Sequence, residues 1–213
     1  GALLAAPTVY PSWPLGKGRD TPSRLLYTGR VVAPKGLFEA VDAIAVLVER
    51  GYKVEFHIVG WSHGRDQTAV QLEQHARQLG VADRLIFDGY RPAGAELLAA
   101  VAENDIFLFP TYGEGGVARA IVEAMAVGLP VITTSIRAVE GLLIHRENAY
   151  LIPDRSSEAI VEAVSRLIDD APLRERIARA GHAWSRGFTV ERSVELTLKH
   201  LRGFIAADGA GVG

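Results

Sequence analysis

Short runs of aliphatic, β-branched and aromatic residues alternate along the chain with stretches whose apolar residues recur at helical spacing. That alternation builds a parallel sheet covered by helices on both faces. Six runs read as strands: Leu25–Thr28, Val54–Val59, Leu85–Phe87, Ile106–Phe109, Val131–Thr133 and Tyr150–Ile152. Between the first two, Leu37, Val41, Ile44, Leu47 and Val48 fall on one helical stripe, and Gly51 stands where a left-handed glycine ends a helix. The same reasoning predicts helices over Thr68–Leu79 with Gly80 as its stop, around Leu97, Leu98 and Val101, and over Ala118–Val127, closed by "GLP". After the sixth strand the alternation ceases, and Ser156–Ile168, Pro172–Ser185 and Val190–Ile205 read as three consecutive helices. The expected architecture is an α/β, Rossmann-like domain over residues 23–205, with a six-stranded parallel sheet, helices on both faces and added C-terminal helices. Residues 1–22, rich in Pro and Gly, read as a linker or entry segment, and 206–213 as a flexible tail.

In a sheet of this kind the ligand crevice lies beyond the carboxyl ends of the strands, which directs attention to the loops after the first and fourth. The first loop is "YTGRVVAPKG": Gly29 turns the chain out of its strand, and two cations, Arg30 and Lys35, follow before the helix. A guanidinium fork and a mobile ammonium suit a diphosphate, although two loop cations by themselves are commonly just solvated. The second loop, within "PTYGEGGVARAIVEAMAVGLPVI", sets Gly113, Gly115 and Gly116 directly before a helix whose first amides lack intrahelical partners. Free amides there attract anions. The same segment carries two acids, Glu114 in the turn and Glu123 inside the apolar helix. Glu123 shares its region with Ile121, Val122 and Met125, so it either lies on the solvent side or points into the crevice.

Overall charge narrows the partners. Lys plus Arg number 23 and Asp plus Glu 25, a net charge of −2, so there is no broad basic surface for nucleic acid or an acidic membrane. Any anion must be held locally. The chain has no cysteine, which excludes disulfides and thiolate chemistry and is compatible with the reducing cytoplasm, the expected location. No apolar run is long enough to span a bilayer. His57, His63 and His75 fall in a strand, a loop and a helix without metal-ligand spacing, and structural or surface roles suit them better. No metal site is expected.

The pairing of "GR…KG" after the first strand with "PTYGEGG…EAMAVGLPVITT" after the fourth resembles the C-terminal, donor-binding domain of retaining GT-B glycosyltransferases of family 4. The resemblance covers about residues 23–205, and the two motifs together are far more specific than either alone. It implies a UDP- or GDP-type nucleotide-diphospho-sugar donor, transfer of a hexose with retention, and no divalent metal or other cofactor. Carried over residue by residue, Gly29, Arg30 and Lys35 would grip the diphosphate and stabilise it as it leaves. Glu123 would accept from ribose hydroxyls, Glu114 would touch the donor sugar, and Gly115, Gly116, Val117 and Ala118 would present amides to the distal phosphate or sugar. Tyr90 and Arg91, after "FDG", match the base-contacting stretch loosely. In "WSHGRD", Trp61 and Arg65 would lie near the nucleotide, with Trp61 equally suited to closing the edge of the core.

Twenty-two residues ahead of the first strand cannot form an acceptor domain, so the expectation is the donor-binding half of a longer enzyme, inactive alone. In the longer protein, peripheral membrane association would run through the absent domain. A last-helix stripe of Val194, Leu198, Leu201 and Ile205 would be exposed, or would pair with another copy. Two other readings stand beside it. One is a stand-alone nucleotide-sugar-binding subunit. The other is a dinucleotide-dependent oxidoreductase, because Gly113, Gly115 and Ala118 fit G-x-G-x-x-A; that fingerprint belongs at the first strand, with an acid near the end of the next. One departure from the family concerns the two acids, which there stand eight positions apart. Here Glu114 and Glu123 are nine apart, and Gly115 occupies the position eight before Glu123. Glu114 is favoured as the first acid because Gly115 and Gly116 can absorb one extra residue before the helix.

Overall fold

The computed structural model describes residues 20–61, 67–113 and 117–188. Strands β1 (Ser23–Arg30), β2 (Val54–Trp61), β3 (Leu85–Gly89), β4 (Ile106–Phe109), β5 (Val131–Thr134) and β6 (Tyr150–Ile152) form one parallel sheet in the order β3-β2-β1-β4-β5-β6. Helices α1 (Leu37–Glu49), α2 (Thr68–Gln78), α3 (Ala95–Ala102), α4 (Arg119–Ala126), α5 (Ser157–Asp169) and α6 (Ala171–Ser185) cover it. Helix α1 packs on α2 and α5, and α4 packs on α3 and α6, consistent with two helical layers. The expected Rossmann-like class is the one observed.

Local chemistry explains most boundaries. Helix α1 buries Leu37, Val41, Ile44 and Leu47 from its predicted stripe, and Gly51 after it is left-handed at φ 84°. The all-apolar β4, "IFLF", is buried at every position, as a central parallel strand covered on both faces should be. Ser156 caps α5, its side chain accepting from the Ala159 amide at 3.1 Å. Asp170 caps α6 by accepting from Leu173 at 2.9 Å, and Arg174 donates back to the Leu167 and Ile168 carbonyls at 2.6 and 3.2 Å, so the two helices finish each other's ends.

Four strands, β1, β2, β3 and β5, run longer than the apolar pattern suggests. Gly29 does not turn the chain out of the sheet: β1 continues through Gly29 to Arg30, paired residue for residue with Gly60 and Trp61 of β2. The reason is contact. A Cβ on Gly60 would lie 1.8 Å from the Gly29 carbonyl oxygen, so the two strands come together at this point only because Gly60 has no side chain. The predicted helix Val190–Ile205 and its apolar stripe lie outside the described residues, as do residues 1–19 and the tail.

Candidate functional site

The strand order reverses between β1 and β4, and the crevice beyond their carboxyl ends is where this architecture places ligands. The loops that leave these two strands are tied together. The Pro34 carbonyl accepts from the Tyr112 amide at 3.0 Å and from the Thr111 hydroxyl at 3.1 Å, and the Tyr112 hydroxyl donates to the Ala33 carbonyl at 2.8 Å. Gly36, left-handed at φ 67°, seals the seam: a Cβ there would stand 2.1 Å from the Pro110 carbonyl oxygen. From β5 the Thr134 hydroxyl donates to the Thr111 carbonyl, and Arg155 stacks on the Tyr112 ring, 4.4 Å from its centroid. The segment Thr111–Tyr112 is thereby held from both sides.

Beside this seam lies a cleft of about 290 Å³. Thr28, Gly29 and Arg30 at the end of β1 and Val59 and Gly60 of β2 line one side. Tyr90, Arg91 and Ala93, from the connection between β3 and α3, and Leu97 of α3 line another, and Arg119, Ala120 and Glu123 of α4 complete it. Tyr90 is 61% exposed, an aromatic face available at the rim. Glu123 is only 7% exposed. Its carboxylate meets the Arg119 side chain, Oε1 to Nε, at 3.0 Å. Burial raises the Glu123 carboxyl above the ordinary carboxylate range, and the charge and hydrogen bond of Arg119 pull against that rise. Among the described lining residues are three arginines, Arg30, Arg91 and Arg119, and a single acid, Glu123, a charge balance suited to a polyanion that also carries hydroxyl donors.

Of the residues singled out from the sequence, Gly29, Arg30, Tyr90 and Glu123 meet in this cleft, as does Arg91. Lys35 is not part of its lining: it ends a short 3₁₀ turn, half-buried, with Nζ 5.5 Å from the centroid of the Phe109 ring. Val117 and Ala118 are half-buried, Ala118 forming the uncapped start of α4. Glu114, Gly115, Gly116, His63 and Arg65 lie outside the described residues, as does the side chain of Trp61. The open question over Glu123 is answered by burial on the cleft side of α4. Sequence reasoning passed over Arg119, although its i, i+4 spacing to Glu123 was a readable signal.

His57 and His75, the two of the singled-out histidines among the described residues, are engaged structurally. Buried His57 places Nδ1 2.9 Å from Asp88 and Nε2 3.4 Å from Glu55, and His75 meets Asp42 at 2.6 Å. No group of three or more metal-ligating side chains occurs among the described residues. No described helix is long and apolar enough to cross a membrane.

Known proteins share this fold and sequence. The family described as "Glycosyl transferases group 1" matches residues 16–184. The amylovoran biosynthesis glycosyltransferase AmsK of Erwinia amylovora is 30% identical over 151 residues, 68% of this chain and 36% of that protein. The C-terminal domain of the group 1 glycosyl transferase LpcC of Francisella tularensis superposes with a TM-score of 0.70 at 26% identity, covering 85% of this chain and 96% of that one. Anabaena Alr3699/HepE, in complex with UDP and glucose, has the same fold with a TM-score of 0.77 at 23% identity, covering 88% of this chain and 49% of that one. The chain spans less than half the length of curated relatives such as AmsK. By the match over most of its length, this chain belongs to the group 1 glycosyltransferases and has the fold of the C-terminal half of a GT-B enzyme.

Proposed function

We propose that this chain is the donor-binding domain of a retaining, family 4 glycosyltransferase that moves a hexose from a UDP- or GDP-type sugar to an acceptor held by a separate domain. The observation that carries the reading is the buried Glu123, which lines one cleft together with Arg30, Arg91 and Arg119 at the point where the sheet order reverses. Glu123 accepts from the ribose hydroxyls, and Tyr90 lies against the base. Arg30 and Lys35 neutralise the diphosphate, with Lys35 approaching from the tied loops at the rim. As the bond from sugar to phosphate breaks, these cations and the amides of Gly115, Gly116, Val117 and Ala118 stabilise charge on the departing diphosphate without a divalent metal. Glu114 touches the donor sugar. The domain alone binds donor in the cytoplasm and does not complete transfer.

Isothermal calorimetry in EDTA with UDP, GDP and their sugars tests this. Binding persists in EDTA, and Arg30→Ala combined with Lys35→Ala lowers affinity about ten- to a hundredfold, the loss expected for charge-assisted contacts. Strict dependence on magnesium, or undiminished binding by the double variant, would overturn the reading. Glu114→Ala spares the nucleoside diphosphate and removes only the extra affinity contributed by the sugar.

A further inference from the structure

Arg119 is a charged group of the cleft to which the reading above gives no individual role. It is the first residue of α4, where the partial positive charge of the helix terminus makes a cation unfavourable. It also precedes its acid by four residues, the less stabilising order for such a pair. A pair placed for helix stability would have the acid first, as Glu73–Arg77 of α2 and Glu175–Arg179 of α6 do. Arg119 therefore sits where helix energetics disfavour it and where the cleft needs a cation.

Solvent exposure shows which partner can move. The Arg119 side chain is 47% exposed and that of Glu123 10%. Glu123 is held among the buried residues of α4, whereas Arg119 can swing through solvent at little cost. We propose that Arg119 is a displaceable counter-ion: it holds the Glu123 carboxylate until a ligand's paired hydroxyls take its place, then turns its guanidinium to that ligand's phosphates. The exchange keeps the buried carboxylate partnered throughout, which avoids the cost of an isolated buried charge. It also couples the two halves of a nucleoside diphosphate, because the hydroxyls release the cation that the phosphates receive. This rests on the reading of the cleft as a nucleotide site. Arg119 is a positioning residue for Glu123 in the first state and a ligand contact in the second.

The charged and titratable groups that line the cleft with Glu123 are Arg119 on its own helix, Arg30 from β1, and Tyr90 and Arg91 from the connection between β3 and α3. Helix α6, packed against α4, brings His182, whose Nδ1 lies 2.9 Å from the Ala126 carbonyl oxygen at the far end of the helix. Of these, Arg119 is the one that acts on the Glu123 titration directly.

The experiment has two arms, both on wild-type protein, Arg119→Met and Arg119→Lys, with thermal melts to establish folding. In the first, the Glu123 carboxyl is followed by carbon-13 NMR against pH without ligand. Its midpoint rises in Arg119→Met and returns toward wild type in Arg119→Lys; an unmoved midpoint in Arg119→Met overturns the proposal. In the second, calorimetry above both midpoints compares uridine with UDP. Arg119→Met binds uridine at least as well as wild type, since the competing cation is gone, and binds UDP about tenfold more weakly. Equal weakening of both ligands, or an unchanged gain from the diphosphate, overturns the proposal alone. Wild-type protein that binds none of UDP, GDP and ADP overturns the underlying reading of the cleft, and this inference with it.

Discussion

The same two residue types, an arginine and a glutamate four positions apart, occur on α2 and α6 and again on α4, with different consequences. Arg77 meets Glu73 at 3.1 Å with side chains 63% and 46% exposed, and Arg179 meets Glu175 at 2.6 Å with 58% and 33%. Water and salt screen both, and they amount to surface pairs contributing a few tenths of a kcal/mol each. On α4 the distance is similar, 3.0 Å, but the acid is buried under the sheet ends and α3. There the ionised carboxylate is a standing cost that a partner must offset. A pair of ordinary length thus becomes a candidate binding device when one member loses access to solvent.

The comparison breaks most visibly at Glu123 itself. Glu123→Ala lowers the affinity for UDP or GDP by about ten- to a hundredfold, and for nucleotide sugar alike, measured by calorimetry; Glu175→Ala leaves both unchanged. If the two variants behaved the same, α4 would be one more solvated helix.

A smaller effect sharpens the contrast through pH. Because burial raises the Glu123 carboxyl in the folded protein, the folded state holds more protons than the unfolded one as pH passes from the ordinary carboxylate range up to the raised value. Stability therefore falls through that window, and the penalty stays in place above it. Glu123→Gln has no charge to desolvate, so it matches wild type in acid and melts higher at neutral pH, while losing ligand affinity. Wild-type affinity in turn falls on acidification as Glu123 takes up its proton. Melting curves across pH read the first effect, and calorimetry reads the second.

The smallest effect belongs to the surface pairs. Glu73→Gln and Glu175→Gln change stability by no more than about 0.5 kcal/mol, less at high salt. Denaturant titration at two salt concentrations measures it.

The sheet was legible because central parallel strands, buried on both faces, must be short continuous apolar runs, and "IFLF" of β4 has no other good reading. Helix ends were legible where one residue type does one job, Gly51 and Gly80 as left-handed stops, and the predicted start at Ser156 falls on the residue that caps α5. The ends of β1 and β2 were misjudged because a glycine read along one chain looks like punctuation. Across the sheet, Gly29 and Gly60 are partners in a close approach. Within the site, Arg30, Tyr90 and Glu123 could be named from loop position and motif. That Lys35 would lie over Phe109 rather than along the cleft could not, since it depends on how the tied loops fold over the end of β4.

By itself, then, the sequence determined the class of fold, the strand ends at which chemistry is placed, and several of the side chains that gather there, Arg30, Tyr90, Arg91 and Glu123 among them. These depend on periodicity and local backbone preference, which act over a few residues and are written into their order. The tertiary structure alone decided which of several similar Arg–Glu pairs has a buried acid, and that Arg91 and Arg119 line the same cleft as Arg30 and Glu123. Burial and charge balance are set by what packs from distant parts of the chain. A carboxylate's chemistry changes with its loss of water far more than with the identity of its neighbours in sequence.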